Sequence, residues 1–308
     1  MRPGADTRRL AHAVLVTACA GLLAAPAVAE ARTRHYWVAA EVRPWSVVPN
    51  GHDAISHEPV DARANRGDAI VYQRYSRRFR RKLPNGAGGL AGPLLRARVG
   101  DTIKIHFRNL DLERPHSMHF HGVHYKPSSD GAYLPGFSGR DGKVDPGESY
   151  TYVLRAKRDS VGAWPYHDHS PSMMESIENG MFGMLSIFGR REKLPDREFV
   201  VVFSHMRDLF TINGRAFVGN TPILRAKVGD LVQWNVMSLG SDFHTFHVHG
   251  HRWRRPDGTP EDSALIGPSQ GVRLRWQEDV VGRWLYHCHM PSHMHHGMAG
   301  FYEVLPRM

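Results

Sequence analysis

Residues 93–109 read PLLRARVGDTIKIHFRN, and residues 222–238 read PILRAKVGDLVQWNVMS. A segment that returns this closely, with its flanking motifs in the same order, marks a duplicated structural unit. Downstream of each copy lies a histidine motif: His119-Phe120-His121-Gly122 after the first, His247-Val248-His249-Gly250 after the second. Further on, residues 161–169 (VGAWPYHDH) match residues 281–289 (VGRWLYHCH). The chain therefore divides into two related domains, residues 30–190 and 191–308, behind a leading segment of residues 1–29. The break falls in the polar stretch 189–196, where Leu194-Pro195 interrupts any regular element.

Inside each unit the hydrophobic period is that of strands. Thr102 to Phe107 alternates in polarity, as does Ser149 to Leu154, and Phe199 to Phe203 is a short buried-strand run. Turn residues separate the runs: Val99-Gly100-Asp101, Asp145-Pro146-Gly147 and Val228-Gly229-Asp230. The expected fold is all-β, an antiparallel sandwich in each domain. At most one short helix is expected, near residues 172–180.

The chain has 308 residues, with 21 histidines but only 2 cysteines. Two cysteines exclude a disulfide scaffold, and also thiolate-rich zinc or iron–sulfur sites. The histidine excess directs attention to imidazole-bound metal. Residues 1–29 have the anatomy of an export signal: Arg2, Arg8 and Arg9, an apolar run from Leu10 to Ala25, then Ala27-Val28-Ala29. Arg8-Arg9 suits a twin-arginine signal, and an ordinary export signal fits as well. A lipid anchor at Cys19 is a weaker reading, because the apolar run continues past it. The expected location is outside the cytoplasm, periplasmic or secreted, with no membrane span. Loss of Arg2, Arg8, Arg9 and Asp6 from 40 basic and 30 acidic residues lowers the formal charge from +10 to +8. The basic runs, residues 77–82 and 252–255, are short and lack any nucleic-acid motif, so no nucleic-acid partner is expected.

Four His-x-His motifs occur: His119/His121, His167/His169, His247/His249 and His287/His289. On a strand, residues i and i+2 face the same side, so each motif aims two imidazoles at one place. Eight convergent imidazoles, two pairs per domain, exceed the needs of one ion and suit a cluster of copper or another imidazole-binding metal. A second ligand set lies at the C-terminal end, where Cys288, His293 and Met298 are spaced Cys-x4-His-x4-Met. With His244 added, the set is two imidazoles, a thiolate and a thioether, the donors of a blue-copper centre. Cys288 faces one side of its strand and His287 and His289 the other. A copper held by Cys288 would then be joined through two peptide links, one to each neighbour, to metals held by both histidines, roughly 10–15 Å away at strand rise.

These motifs (HFHG, HDH, HTFHVHGH and HCHMPSHMHHGM) resemble those of the two-domain multicopper oxidases of the bacterial small-laccase type, over nearly the whole chain after the leading segment. The resemblance implies two cupredoxin-like Greek-key β-sandwich domains in tandem, with four coppers per chain. It implies a type 1 copper at His244, Cys288, His293 and Met298, and a type 2 copper at His119 and His247. It implies a type 3 pair at His121, His167, His169, His249, His287 and His289. It also implies a homotrimer with clusters between subunits, and a reaction in which single electrons from a small reducing substrate reduce dioxygen to water. In the repeat Asp168 stands where Cys288 does, and Met173 where His293 does, so one electron-entry site is expected, in the second domain. The copper nitrite reductases, which share the fold, instead carry the type 1 site in their first domain.

Asp130, nine residues after His121, is the candidate proton donor, with a turn aspartate as the alternative. Tyr125 is a candidate redox-active neighbour or a packed tyrosine. His295 and His296 are expected to be solvated. His124 and His251 follow ligand motifs and either back the ligand histidines or are simply exposed. Phenols and aromatic amines are the substrates the resemblance implies. Two methionine-rich stretches, Met173, Met174, Met181 and Met184, and Met290 with Met294, are either cuprous-ion sites of a metal-ion oxidase in copper tolerance or ordinary core packing; a non-enzymatic copper-binding protein is a separate alternative.

Overall fold

Strand Thr102–Asn109 buries Ile103, Ile105 and Phe107 and turns Lys104, His106 and Arg108 outward. Its repeat partner, Leu231–Ser238, buries Val232, Trp234 and Val236 in the same register. Both strands leave tight turns through a glycine in the left-handed region, Gly100 (φ 101°) and Gly229 (φ 84°), where a side chain would be strained. The following aspartates cap those turns: Asp101 accepts the backbone N–H groups of Arg32 and Arg98, and Asp230 that of Lys227.

The computed structural model describes residues 31–61 and 65–307. The export features of residues 1–29 lie outside them. In the first half, one five-stranded sheet is ordered Arg66–Tyr75, Thr33–Ser46, Thr102–Asn109, Ser149–Arg155, His124–Tyr125. A four-stranded sheet, ordered Leu95–Arg98, Phe182–Phe188, Gly162–His167, His119–Phe120, packs against it. The second half repeats this with Leu209–Ile212, Arg197–Met206, Leu231–Ser238, Gly271–Gln277 against Leu224–Lys227, Ala299–Leu305, Gly282–Cys288, His244–Val248, Ser263–Ile266. Each half is a cupredoxin-like sandwich around its own core. A third core joins the halves through Val47, Val71, Phe182, Met184, Val200, Val202 and Met237. Trp45 Nε1 donates across this junction to the Gly214 carbonyl at 2.7 Å.

Two expectations need correction. The sheets are mixed, not antiparallel: Thr33–Ser46 runs parallel to Thr102–Asn109, and Arg197–Met206 parallel to Leu231–Ser238. Alternating polarity shows which face of a strand is buried, not which way its neighbour runs. The helix near residue 172 is present as Met173–Glu178, but a second helix, Pro291–His295, forms inside the ligand segment. Pro291 stands at its first turn, where the missing N–H has no partner to lose.

Candidate metal centre

Antiparallel pairing brings the histidine motifs of each half together. His119 lies opposite His167, and His247 opposite His287. The glycine of each His-x-His-Gly motif is pinned: at Gly250 (φ 72°) an added Cβ would lie 2.8 Å from the Trp284 ring. Hydrogen bonds to backbone carbonyls orient the rings. His119 Nδ1 donates to Asp130 O (2.7 Å) and His247 Nδ1 to Asp262 O (2.7 Å). His167 and His287 donate to the carbonyls of their own successors, Asp168 and Cys288, each at 2.9 Å. Anchored Nδ1 atoms leave Nε2 as the free ligand atom, the usual arrangement behind a bound metal. The Nε2 atoms of His121 and His167 approach to 3.1 Å, as do those of His249 and His287.

Ligand atoms of His119, His121 and His167 all lie within 4.8 Å of one another, as do those of His247, His249 and His287. His169 and His289 adjoin these groups, with ring centroids 5.3 Å from those of His119 and His247 respectively. Burial, with neighbouring imidazoles adding to it, lowers His121, His167 and His287 to pKa values of about 4. Neutral imidazole is the ligating form, so these rings need no deprotonation to bind metal. In the second half His249 and His289 are exposed. Among the described residues no hydrogen bond or ring contact joins the two histidine sets.

The third group is His244, Cys288 and His293, all buried, with ligand atoms within 4.8 Å. Cys288 Sγ lies 3.6 Å from His293 Nδ1, which is 3.2 Å from His244 Nδ1. Met298 is buried in the same core, and its carbonyl accepts the Cys288 N–H at 3.1 Å. Burial pushes the Cys288 thiol up and His244 down to about 3. Burial disfavours the imidazolium–thiolate pair with His293, so the thiol becomes thiolate on binding a cation. Two convergent imidazoles, a thiol and a thioether in an apolar shell fit copper. Phe210 stacks on the His293 ring at 3.9 Å and 18°.

Asp130 and Tyr125 stand beside His119. Asp130 Oδ1 is 3.5 Å from His119 Nδ1, and the Tyr125 ring is 6.3 Å from that imidazole. Burial and Asp130 push the Tyr125 hydroxyl up to about 12. Both residues line an open cavity of about 710 Å³. His295 and His296 are exposed, and His124 pairs with Asp159 at the surface. Met181 and Met184 are core residues, while Met174 is exposed.

Two polar networks were not anticipated. In the first half the Asp168 backbone N–H donates to Met181 O at 3.1 Å, the bond that Cys288 makes to Met298. At this counterpart of Cys288, Asp168 accepts from Ser117 N (2.7 Å), Ser170 Oγ (2.7 Å) and His116 Nδ1 (3.2 Å). His116 Nε2 faces Asp111 at 2.9 Å. Burial opposes charge on His116, but the flanking carboxylates outweigh it and raise its pKa. His116 lies three residues before His119, as His244 lies before His247, so the repeat register itself carried this clue. The second network surrounds the buried carboxylate of Glu278 and has no such clue.

Two multicopper oxidase family models match the chain, over residues 74–192 and 191–307. Human ferroxidase HEPHL1 is 28% identical over 88% of the chain, and human ceruloplasmin 30% identical over 77%. The chain spans only 29% and 26% of those relatives' lengths. A solved multicopper oxidase superposes with a TM-score of 0.68 at 25% identity, covering 88% of this chain and 89% of that one. A copper nitrite reductase from Nitrosomonas europaea shares the fold, with a TM-score of 0.67 at 21% identity.

Proposed function

Because the chain belongs to the multicopper oxidase family, we propose that it is a laccase-like oxidase, taking single electrons from phenols or aromatic amines and reducing dioxygen to water. Four coppers, when bound, would supply the electron exchange and the dioxygen chemistry. His244, Cys288, His293 and Met298 would hold the type 1 ion, His119 and His247 the type 2 ion, and His121, His167, His169, His249, His287 and His289 the type 3 pair. The carrying observation is the pairing of His247 with His287 beside that of Phe246 with Cys288. Adjacent residues of one strand thereby face two different ligand groups, and the covalent path between them is one peptide link. The nitrite reductase arrangement is disfavoured because Asp168 replaces the thiolate of the first half.

Each half would supply half a cluster. The exposed His249 and His289 support completion by a second copy of the chain, in the homotrimer expected from the sequence. Light scattering of the copper-loaded protein tests this: a monomer carrying a complete cluster would refute it. Asp130, partly exposed beside His119, would relay protons from solvent, with Tyr125 as its hydrogen-bonded neighbour. We further propose export beyond the cytoplasm; among the described residues no helix is long and apolar enough to cross a membrane.

A second reading, oxidation of ferrous or cuprous ion, is favoured by the ferroxidase relatives and by one cavity. It holds about 600 Å³ and lies against the helix that carries His293, lined by Asp53, Glu58, Met294, His295 and His296. Oxygen uptake by the copper-loaded protein on a phenol, on ferrous ion and on cuprous ion separates the readings. Copper binding without uptake on any of them would leave a copper-binding protein and refute the oxidase.

A further inference from the structure

The repeat provides an internal control for the core of the second half. Val232 pairs with Trp276 as Ile103 pairs with Leu154, and Trp284 pairs with Tyr302 as Trp164 pairs with Leu185. Gly229 N–H donates to Glu278 O as Gly100 N–H does to Ala156 O, both at 2.8 Å. The first half therefore fills these positions with Val123, Ile105, Leu154, Ala156 and Leu185, all buried and aliphatic or small. The second half fills them with His251, Trp234, Trp276, Glu278 and Tyr302. At these positions such a sandwich packs without a carboxylate, and burying one is costly.

Glu278 is fully enclosed by donors. It accepts from Tyr302 Oη and Trp276 Nε1 on one oxygen and from His251 Nε2 (3.0 Å) on the other. His251 Nδ1 in turn donates to the carbonyl of His249 at 2.7 Å. The rings form a continuous set. Tyr302 meets Trp234 at 5.0 Å and His251 at 5.5 Å; Trp276 stacks on Trp234 at 5.7 Å and on Trp253 at 5.9 Å. Trp276 is partly exposed, so the set runs to solvent from His251, whose Nδ1 holds the backbone carbonyl of His249 in the second-half metal group.

We propose that Tyr302, Glu278, Trp276 and Trp234 form a proton-coupled hole relay that drains the copper site when it is left strongly oxidising with too few electrons. The inference rests on the oxidase reading above. In the step, Tyr302 gives one electron to the oxidised copper site and its phenolic proton to the Glu278 carboxylate, leaving a neutral tyrosyl radical and a carboxylic acid. A soluble one-electron donor such as a thiol or phenol, arriving at Trp276, returns the electron through the rings, and Glu278 returns the proton. The existing hydrogen bond lets the proton move without rearrangement. Trp276 shares the same base, whereas Trp234 Nε1 has no partner among the described residues, so a hole there passes on without deprotonation.

The test uses the copper-loaded protein under anaerobic flash photo-oxidation by a ruthenium(III) tris-bipyridine, read by electron paramagnetic resonance. The wild type should give a tyrosyl signal that Tyr302→Phe removes and Glu278→Gln diminishes. Total turnovers before inactivation, with substrate limiting, should fall several-fold in Tyr302→Phe. That variant keeps the ring and its packing, so it is informative even where Glu278→Gln folds poorly. An unchanged signal, or an unchanged number of turnovers, in Tyr302→Phe overturns the relay. Initial oxygen uptake of the wild type reports on the oxidase reading alone; its absence sinks that reading while the photo-oxidation, which needs no dioxygen, still decides the relay.

Discussion

Asp168→Asn isolates what stands in the first half where the Cys288 thiol stands in the second. The substitution keeps the side-chain volume and removes the charge. Asp168 accepts from Ser117 N, Ser117 Oγ and Ser170 N on one oxygen, and from Ser170 Oγ and His116 Nδ1 on the other. An asparagine NH₂ therefore faces donors in either orientation, and His116 loses one of its two carboxylates. Breaking a buried pair costs about 3–5 kcal/mol. The serine hydroxyls can rotate to accept, and Asp111 stays on His116, so the lower end applies, about 3 kcal/mol. For a unit of this size, roughly 2–4 °C of melting temperature accompanies each kcal/mol. Calorimetry of the copper-free protein should show the first-half transition falling by about 6–12 °C. Ser117 and Ser170 adjoin Met118-His119 and His169, so type 2 copper resonances should also broaden. A melting shift within about 2 °C would show that the network carries no such energy.

Cys288→Ser should abolish the thiolate-to-copper absorption while the imidazole groups still load copper; retention of a blue band would sink the type 1 assignment. Asp130→Asn should slow oxygen turnover without altering copper content, and unchanged turnover at every pH would remove Asp130 from proton delivery. Copper-free protein should lose stability as pH falls. His121, His167 and His287 have folded values of about 4 and His244 of about 3, all below the ordinary 6.5, so the unfolded chain takes up protons first. Stability is full above 6.5 and declines as pH falls through about 4; a melting temperature flat across that window would contradict the buried, neutral rings.

The sequence announced its histidine groups because strand periodicity brings residues two apart to the same place. Residues two apart face one side, and His-x-His in four places of a repeat has few other uses. Cys288, His293 and Met298 were legible because they lie within one short segment. His244 entered only as the nearest spare imidazole, and its approach to His293 required the fold. The parallel pairings were invisible, since alternation marks a face and not a neighbour's direction. Glu278 was invisible for a different reason. A glutamate between Gln277 and Asp279 reads as solvent-facing, and only the chain's path puts Tyr302, Trp276 and His251 around it. Asp168 was seen as a lost thiolate, yet its binding to His116, 52 residues away, is a tertiary fact.

The equivalence of Asp168 and Cys288 has a consequence for how the molecule matures. At one position an ion pair made wholly of protein closes the gap; at the other a cation must arrive from outside. The Asp168 position can thus reach its final form during folding, whereas the Cys288 position stays provisional until metal is delivered. Copper supply would then act as a timer on one of two equivalent positions, the other being closed by the protein alone.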